Sequence, residues 1–345
     1  MRYSSLLAAG ALALAGYGSA INILMNNDDG FGSGNLRELY KLLKANGHNG
    51  IPPFPSSHCL LLASPSDRGV VVWIVAPATQ QSGKGGSSEF TDQANLTANS
   101  QYDLIPKGAP SVGPDPLDDQ IWYYNGTPAA CTFVALDYVL PKFANFSTPD
   151  LVVTGPNYGT NLGNFVWTLS GTAGAAYSST ARGIPAIALS ASNKAVSYKD
   201  VNSTSHPAYL VAALSAKIVQ GVIDSAAGAN PLLPLGYGLN VNFPPLTSNW
   251  SSLPIVQTRM TGNSEVDIAQ PVADVPGTFT WGNIRPLAAG ANVCLSGDCT
   301  LPDETFVVAS GRVSMSLYIT DYTAPTNGFT KGLMQRFGKV TGCSS

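Results

Sequence analysis

The chain has few charged residues. Only 11% of its 345 residues are Asp, Glu, Lys or Arg, and the net charge is −3; soluble proteins usually carry about 25% charged residues. This composition offers no basic surface for a nucleic-acid duplex, and we expect no such partner. The apolar fraction of 44% is sufficient for a sizeable core. The length fits one large α/β domain or two ordinary domains.

Long apolar runs are also scarce. The run from Leu6 to Ala15 follows one early arginine and precedes the small residues Gly18 and Ala20. This run is too short to cross a bilayer, and its flanks are typical of a secretory signal peptide over residues 1–20. A buried first helix is the alternative, but the segment does not alternate polar with apolar residues. We therefore expect a secreted protein without a membrane partner.

Sequons and cysteines agree with export without proving it. Five N-glycosylation sequons begin at Asn95, Asn125, Asn145, Asn202 and Asn249. Cys294 and Cys299 flank a turn-like LSGD spacer, which favours a disulfide that closes a small loop. A zinc pair is the alternative, but no second Cys or His pair lies nearby with ligand spacing. Cys131 lies in an apolar helical run and is expected in the core, whereas Cys343 has no assigned partner.

Strand, loop and helix patterns alternate along most of the chain. The predicted strands are 21–25, 70–75, 151–154 and 186–189. The predicted helices are 35–46, 127–140, 207–225 and a small-residue helix that begins in SGTAGAA. This alternation predicts an α/β fold with a doubly wound, mostly parallel sheet over residues 21–235. From residue 236 to 345, Gly, Pro and period-two patterns indicate a β-rich extension of hairpins.

Residues 49–69 do not fit this pattern. Connections from a helix to a strand usually take about two to six residues, but this one takes around twenty. The segment is interpreted either as a surface insert or as a stretch absent from the mature protein. Mass spectrometry of tryptic peptides from the secreted protein distinguishes the two.

Polar loops follow three of the predicted strands, at residues 27–30, 79–86 and 155–163. In a parallel sheet these loops meet at one edge, where ligands bind. Asp28 and Asp29 supply carboxylates there, Ser82 a hydroxyl and Asn157 an amide oxygen. Oxygen ligands suit Mg²⁺, Mn²⁺ or Ca²⁺ rather than zinc or copper. A divalent cation would also remove the repulsion between the adjacent carboxylates.

The SGTAGAA segment predicts an anion site beside these loops. Ser170 is expected to cap a helix whose first turn, at Gly171 and Thr172, carries free amides and small side chains. Such a helix N-terminus binds phosphate. Lys84 in SGKGG resembles a P-loop only superficially, because the preceding glycine and the following Ser or Thr are missing. The metal and anion sites together indicate phosphoryl chemistry.

Aromatic and histidine residues invite weaker interpretations. Residues 122–124, WYY, could stack on a nucleobase, but β propensity favours a place in the core of a strand. His206 and His48 are interpreted as helix caps or solvated residues rather than as catalytic groups.

Several motifs together resemble the SurE family of survival-protein nucleotidases and acid phosphatases. The motifs, in order, are NNDDG, VAPATQQSG, NGTPAAC, GPNYGTNLG with SGTAGAA, RGIPAIALS and LNVNFPP. The similarity runs from residue 21 to about residue 260, and more faintly to about residue 320. It implies a Rossmann-like domain with a C-terminal β-hairpin extension, assembled as a homodimer or higher oligomer. It also implies hydrolysis of small phosphomonoesters with a divalent cation.

The resemblance also assigns residues by motif. The implied metal ligands are Asp28, Asp29, Ser82 and Asn157. The implied phosphate-binding residues are Asn161, Ser170, Gly171 and Thr172. Asn27 would brace the acidic loop. The chain departs from the family pattern by one extra residue between Gly163 and Ser170, with Trp167 in that loop, and Asp303 and Glu304 match a family acidic position only approximately.

The resulting hypothesis is a phosphomonoester hydrolase in which a metal-activated water attacks phosphorus. Asp28 or Asp29 would accept the proton, and the sequence does not distinguish them. The alternative is a secreted module that binds a metal or a nucleotide without turnover. Nucleotides, general phosphoesters and short polyphosphates remain open as substrates, because each presents the same terminal group.

Overall fold

The computed structural model describes residues 20–46, 69–284 and 288–337. Residues 1–19 of the expected signal peptide, nearly all of the segment 49–69, His48 and Cys343 lie outside these ranges. Within them, nine strands form one sheet in the order β3-β4-β2-β1-β5-β6-β7-β11-β8, and β9 pairs with β10 in a separate hairpin. The strands are β1 (Ile21–Asn26), β2 (Val70–Pro77), β3 (Val112–Asp115), β4 (Asp118–Tyr124), β5 (Leu151–Tyr158), β6 (Ala186–Ala191), β7 (Tyr237–Phe243), β8 (Ile255–Thr258), β9 (Asp267–Pro271), β10 (Phe279–Asn283) and β11 (Val313–Ile319).

Helices cover both faces of the sheet. They are α1 (Gly34–Asn46), α2 (Pro128–Val134), α3 (Leu140–Phe143), α4 (Gly163–Leu169), α5 (Gly171–Ala181), α6 (Pro207–Ser225), α7 (Ala289–Asn292), α8 (Glu304–Ala309) and α9 (Gly328–Gln335). A π-helical turn, Ala135–Val139, joins α2 to α3. Pro128 and Pro207 stand in the first turns of α2 and α6, where a missing N–H costs nothing.

Strand periodicity divides the core into two layers. Ile23 and Met25 of β1 pack with residues of α1 and α6 on one face, and Leu24 packs with residues of α2 to α5 on the other. Successive side chains of a strand point to opposite faces, so a strand with helices on both sides is apolar throughout. This arrangement confirms the predicted α/β class with a mostly parallel sheet.

The order of the strands creates a switch point between β1 and β5. The chain builds outward from β1 through β2 to β4, then continues on the other side of β1 through β5, β6 and β7. All of these pairings are parallel, whereas β3 with β4 and β11 with β7 are antiparallel. A crevice opens where the connections diverge, at the carboxyl ends of β1 and β5. The loop that carries Asp28 begins there, and Asn157 lies near the end of β5.

The β-rich extension differs in detail from its prediction. The division of the chain at residue 235 stays a prediction, but β7 lies beyond it and pairs with β6 inside the main sheet. Its alternating Asn residues imitate a half-exposed strand, although Asn240 and Asn242 are fully buried. The β9–β10 hairpin is antiparallel, as expected of a hairpin extension. Trp167 lies in α4 rather than in a loop, with its ring 4.7 Å from that of Tyr318.

Several local predictions are confirmed. Cys294 and Cys299 form a disulfide, and Cys131 is a buried free thiol. Trp122, Tyr123 and Tyr124 are buried in β4, so they belong to the core. The imidazole of His206 accepts a hydrogen bond from the Ala208 N–H and caps α6.

Helix α6 is long and apolar enough to cross a membrane. However, 56% of its apolar window is buried inside the fold, as in the core helix of a globular domain.

Candidate active site

The acidic loop follows β1 at the switch point, and hydrogen bonds from the Asn27 side chain stabilise it. The Asn27 side-chain Nδ2 donates to the Gly30 carbonyl at 3.1 Å and to the Ser33 hydroxyl at 2.9 Å. These bonds close the loop around two adjacent carboxylates, Asp28 and Asp29, which are both only 2% exposed. The geometry thus gives Asn27 the bracing role that the family resemblance implies.

Helix α5 approaches Asp28 through its first turn. The Thr172 hydroxyl donates to Asp28 Oδ1 at 2.8 Å, and the Thr172 N–H donates to Asp28 Oδ2 at 3.2 Å. A Cβ built on Gly171 would lie 2.8 Å from the Asp28 Cβ, so only glycine permits this approach. The Ser170 hydroxyl accepts the Ala173 N–H at 3.2 Å and caps the helix as predicted.

The amides assigned to phosphate therefore already bind a carboxylate. Negative charge is stabilised at a helix N-terminus, and Asp28 occupies that position in this structure. A phosphate group can accept from the same N–H groups only if Asp28 releases them. The residue predicted as a metal ligand, Asp28, and the amides predicted to bind phosphate are thus in direct contact.

Burial and mutual repulsion dominate the electrostatics of the two aspartates. Burial raises the pKa of Asp28 above its usual value, although hydrogen bonds from Thr172 oppose this. Burial, and then the charge of Asp28, raise the pKa of Asp29 well above its usual value, against hydrogen bonds from the Tyr158 N–H and the Gln80 side chain. Among the described residues, the ion pairs include neither aspartate.

Asn157 lies at the end of β5, beside the acidic loop. Its Oδ1 is 3.4 Å from the Thr172 hydroxyl, and its Nδ2 donates to the Gly159 carbonyl at 2.8 Å. The next residue, Tyr158, donates its N–H to Asp29 Oδ2 at 2.9 Å. Asn157 and Asp28 therefore both contact the Thr172 hydroxyl, and Asp29 is bound by the residue next to Asn157.

Ser82 is placed differently from the other predicted ligands. It lies on an exposed loop, where its hydroxyl accepts a hydrogen bond from the Gln80 side chain at 2.5 Å. Gln80 also bonds Asp29, so it links Ser82 to the carboxylates. The loop is fastened to the acidic loop by the Gln81 N–H, which donates to the Asp28 carbonyl at 2.7 Å.

Asn161 is buried at the ends of β6 and β7. Its N–H donates to Asn242 Oδ1 at 2.7 Å and its Nδ2 to the Ser190 hydroxyl at 2.8 Å. No hydrogen bond between described side chains joins it to Ser170 or Thr172. The sequence analysis did not identify Asn242 and Ser190, which hold the backbone and side chain of Asn161. The alternating Asn residues in LNVNFPP were the local feature that could have indicated Asn242.

The donor set suits a hard divalent cation. Among the described residues, no three His, Cys, Asp or Glu side chains lie together as a metal cluster. A cation would therefore be held by two carboxylates supplemented with amide or hydroxyl oxygens. Asp28 and Asp29 are two buried, adjacent carboxylates that have no cationic partner in the part of the chain that the structure describes. They fit such an ion, because it would remove their repulsion and their desolvation penalty.

A family model described as Survival protein SurE matches residues 23–267. The chain belongs to the SurE family. An acid phosphatase from Yarrowia lipolytica is 39% identical to this SurE-family chain over 317 residues, which cover 89% of it and 81% of that protein. The 5'-nucleotidase SurE 2 of Chlamydia caviae is 30% identical over 239 residues, or 69% of this chain and 66% of that protein.

The fold of this SurE-family chain also has a solved counterpart. The crystal structure of the SurE protein from Aquifex aeolicus matches 93% of this chain and 99% of that chain, with a TM-score of 0.57 and 21% identity. At this level of identity the match concerns the fold alone. It agrees with the predicted α/β class.

Proposed function

We propose that this protein is a phosphatase that hydrolyses small phosphomonoesters with a divalent cation. The relatives named acid phosphatase and 5'-nucleotidase support the reaction class. The observation that carries the proposal is the junction of the buried Asp28–Asp29 pair with the first turn of α5. That junction places potential metal ligands beside amides that bind oxyanions.

The proposed ligands are Asp28, Asp29, Asn157 and Ser82. The proposal is supported by the Thr172 hydroxyl, which contacts both Asp28 and Asn157, by the Tyr158 N–H, which donates to Asp29, and by Gln80, which links Ser82 to Asp29. When bound, the cation would neutralise charge on the phosphoryl oxygens and activate a water nucleophile. Mg²⁺, Mn²⁺ and Ca²⁺ all suit oxygen donors, and the donor set does not distinguish them.

Backbone amides of the protein would orient the phosphate, and an aspartate would accept a proton from the attacking water. The amides of Gly171 and Thr172 would bind phosphoryl oxygens in exchange for Asp28, and Ser170 keeps the helix start in place. Asp28 and Asp29 are the two candidates for the general base. Both side chains are only 2% exposed, so bulk water has little access to either carboxylate.

The test is release of inorganic phosphate from p-nitrophenyl phosphate and a nucleoside monophosphate, with added Mg²⁺, Mn²⁺ or Ca²⁺ and with EDTA. We expect activity that EDTA removes and that a divalent cation restores. Asp29→Asn should lower kcat by at least about 10²-fold, because it removes a ligand or base. Asp92→Asn, a change of the same type on an exposed loop, should have no effect.

Two results would contradict this function. Full activity after complete chelation would remove the role of the metal. Metal or nucleotide binding without turnover would instead identify a binding module with the same fold.

We also propose that the protein is secreted and self-associates. Four of the five sequon asparagines are exposed, and Asn125 is half-buried. Large apolar side chains are exposed on the hairpin and on α9, among them Trp281 and Phe329 at 64% and 76%. Exposed apolar surface of this kind is typical of an interface between subunits. Glycosidase treatment and light scattering of the secreted protein test the two proposals.

A further inference from the structure

Glu304 is a fully buried carboxylate that the proposed reaction does not use. It is the first residue of α8 and has no exposed surface. Buried carboxylates are rare unless hydrogen bonds satisfy their oxygens. Each of its two oxygens does have a donor, and those donors come from distant parts of the chain.

The first oxygen holds the turn that follows Asn161. The Gly163 N–H donates to Glu304 Oε2 at 2.9 Å. Gly163 has a φ of +83°, and a Cβ at this position would lie 2.7 Å from the Cβ of Ser264. The turn therefore has a conformation that favours glycine, and the carboxylate fixes its N–H.

The second oxygen holds a side chain that reaches Asn161. Asn240 Nδ2 donates to Glu304 Oε1 at 2.9 Å and also to the Asn161 carbonyl at 3.2 Å. Asn240 Oδ1 is buried and has no hydrogen-bond partner among the described residues. The orientation of this amide is thus set by its nitrogen, which bridges the carboxylate and the Asn161 backbone.

A polar patch on the sheet completes the support. Asn242 accepts the Asn161 N–H, and Ser190 accepts the Asn161 Nδ2. Ser316 is paired with Asn240 in the register of β11 and β7, and its side chain bonds Glu304. The N–H and the Nδ2 of Asn161 are therefore held by β7 and β6, and its carbonyl is held by Asn240, which also binds Glu304.

We propose that Glu304 is a positioning residue, which orders the turn from Asn161 to Gly163 so that Asn161 can contact the phosphoryl group. This inference rests on the proposed function, because it assumes that Asn161 binds phosphate. Glu304 itself touches neither the substrate nor the reacting atoms. It acts through Gly163 and Asn240.

Glu304→Gln tests the proposal in the full chain with Mg²⁺ present at pH 8, above the Glu304 pKa of about 7, where the side chain is ionised. The variant keeps the size of the side chain but replaces one acceptor with a donor, which then faces the Gly163 N–H or Asn240 Nδ2. We expect the Kd for inorganic phosphate, measured by calorimetry, and the KM for p-nitrophenyl phosphate to rise about tenfold, the effect of losing one charge-assisted hydrogen bond. kcat should change less than KM.

Asp303→Asn is the matched control. Asp303 is the adjacent acidic residue and is also buried, but it accepts from the Phe306 N–H at 2.8 Å and from Asn263 at 2.9 Å rather than from the turn. Its amide variant should leave both the phosphate Kd and KM unchanged. An equal rise in both variants would mean that any disturbance of α8 weakens phosphate binding, and would overturn the proposal.

A second variant tests the same proposal if Glu304→Gln folds poorly. Asn240→Ser removes the bridge to the Asn161 carbonyl and also the unpartnered Oδ1, and it should raise the same two constants. The double variant should be no worse than the more affected single variant, since both changes break one network. Independent, additive effects would contradict a shared route through the turn.

Failure of the proposed function has a different signature. If the wild type binds phosphate but releases none from any substrate, weaker phosphate binding by Glu304→Gln still supports the positioning role. If the wild type turns over and Glu304→Gln has wild-type Kd and KM, the positioning role is wrong and the function stands. If the wild type neither binds phosphate nor turns over, both proposals are wrong.

Discussion

Replacing Gly171 with alanine tests the contact on which the site depends. A Cβ at this position would lie 2.8 Å from the Asp28 Cβ, 2.9 Å from Pro128 Cγ and 3.1 Å from Asp28 Oδ2. Carbon atoms that do not share a bond prefer separations of about 3.5–4.0 Å. The start of α5 must therefore move away from Asp28 by roughly 1 Å, or Asp28 must turn away from the helix.

The displacement affects both stability and catalysis. Insertion of a methyl group into a filled site costs about 1–3 kcal/mol of unfolding free energy. A displacement of this size at a reacting centre can lower the rate by about 10²-fold. We expect Gly171→Ala to lower both the unfolding free energy and kcat, since the same contact positions Asp28 and the first-turn amides of α5.

Urea unfolding and kcat for p-nitrophenyl phosphate, at saturating Mg²⁺, measure the two effects. Gly221→Ala is the control, because Gly221 lies inside α6 with nothing within 4 Å of a built Cβ. This control should gain about 0.5–1 kcal/mol from helix propensity and keep its activity. The reasoning would be refuted if Gly171→Ala behaved like the control, with wild-type kcat and undiminished stability.

Three other predictions follow from buried groups. Thr172→Val should lose about 1.5–3 kcal/mol in urea unfolding, because the Thr172 hydroxyl donates to the Asp28 carboxylate; Thr172→Ser should keep most of that stability. Arg37→Met should cost about 3–5 kcal/mol, since it leaves Asp115 buried without its 2.7 Å partner, and Arg37→Met with Asp115→Leu should recover much of the loss. Burial raises the pKa of Glu304 from 4.5 to about 7, so the folded chain holds an extra proton between these values. Wild-type stability should therefore fall as the pH rises through this window, by on the order of 3 kcal/mol, and Glu304→Gln should remove this part of the fall in unfolding at pH 5 and 8.

Local patterns were sufficient to predict the α/β class and most of the elements near the site. The apolar run of β1, the acidic loop after it and the Ser170 cap each depend on residues close together in the chain. The shared edge of the parallel strands is sufficient to predict that Asp28, Asp29 and Asn157 lie at one end of the sheet. The SurE resemblance added the bracing role of Asn27, and the hydrogen bonds of this side chain agree with it.

Contacts between residues that are far apart in the chain could not be predicted from the sequence. Asp28 and Thr172 are 144 residues apart, and Glu304 and Gly163 are 141 apart. Nothing local indicates that the amides of α5 bind a carboxylate, or that Asn240 faces Glu304 rather than solvent. The alternating Asn residues of β7 likewise resembled a half-exposed strand.

The sequence by itself determined which residues end up at the edge of the sheet, because strand ends and helix caps are set by neighbouring residues. Only the tertiary structure decided which of them touch, because packing α5 on the sheet sets the distance between its first turn and Asp28. It also decided that Glu304 is buried against the Asn161 turn, since the order of β6, β7 and β11 brings their polar side chains together at one end of the sheet. A carboxylate is stable there only because backbone and amide donors from other elements converge on it.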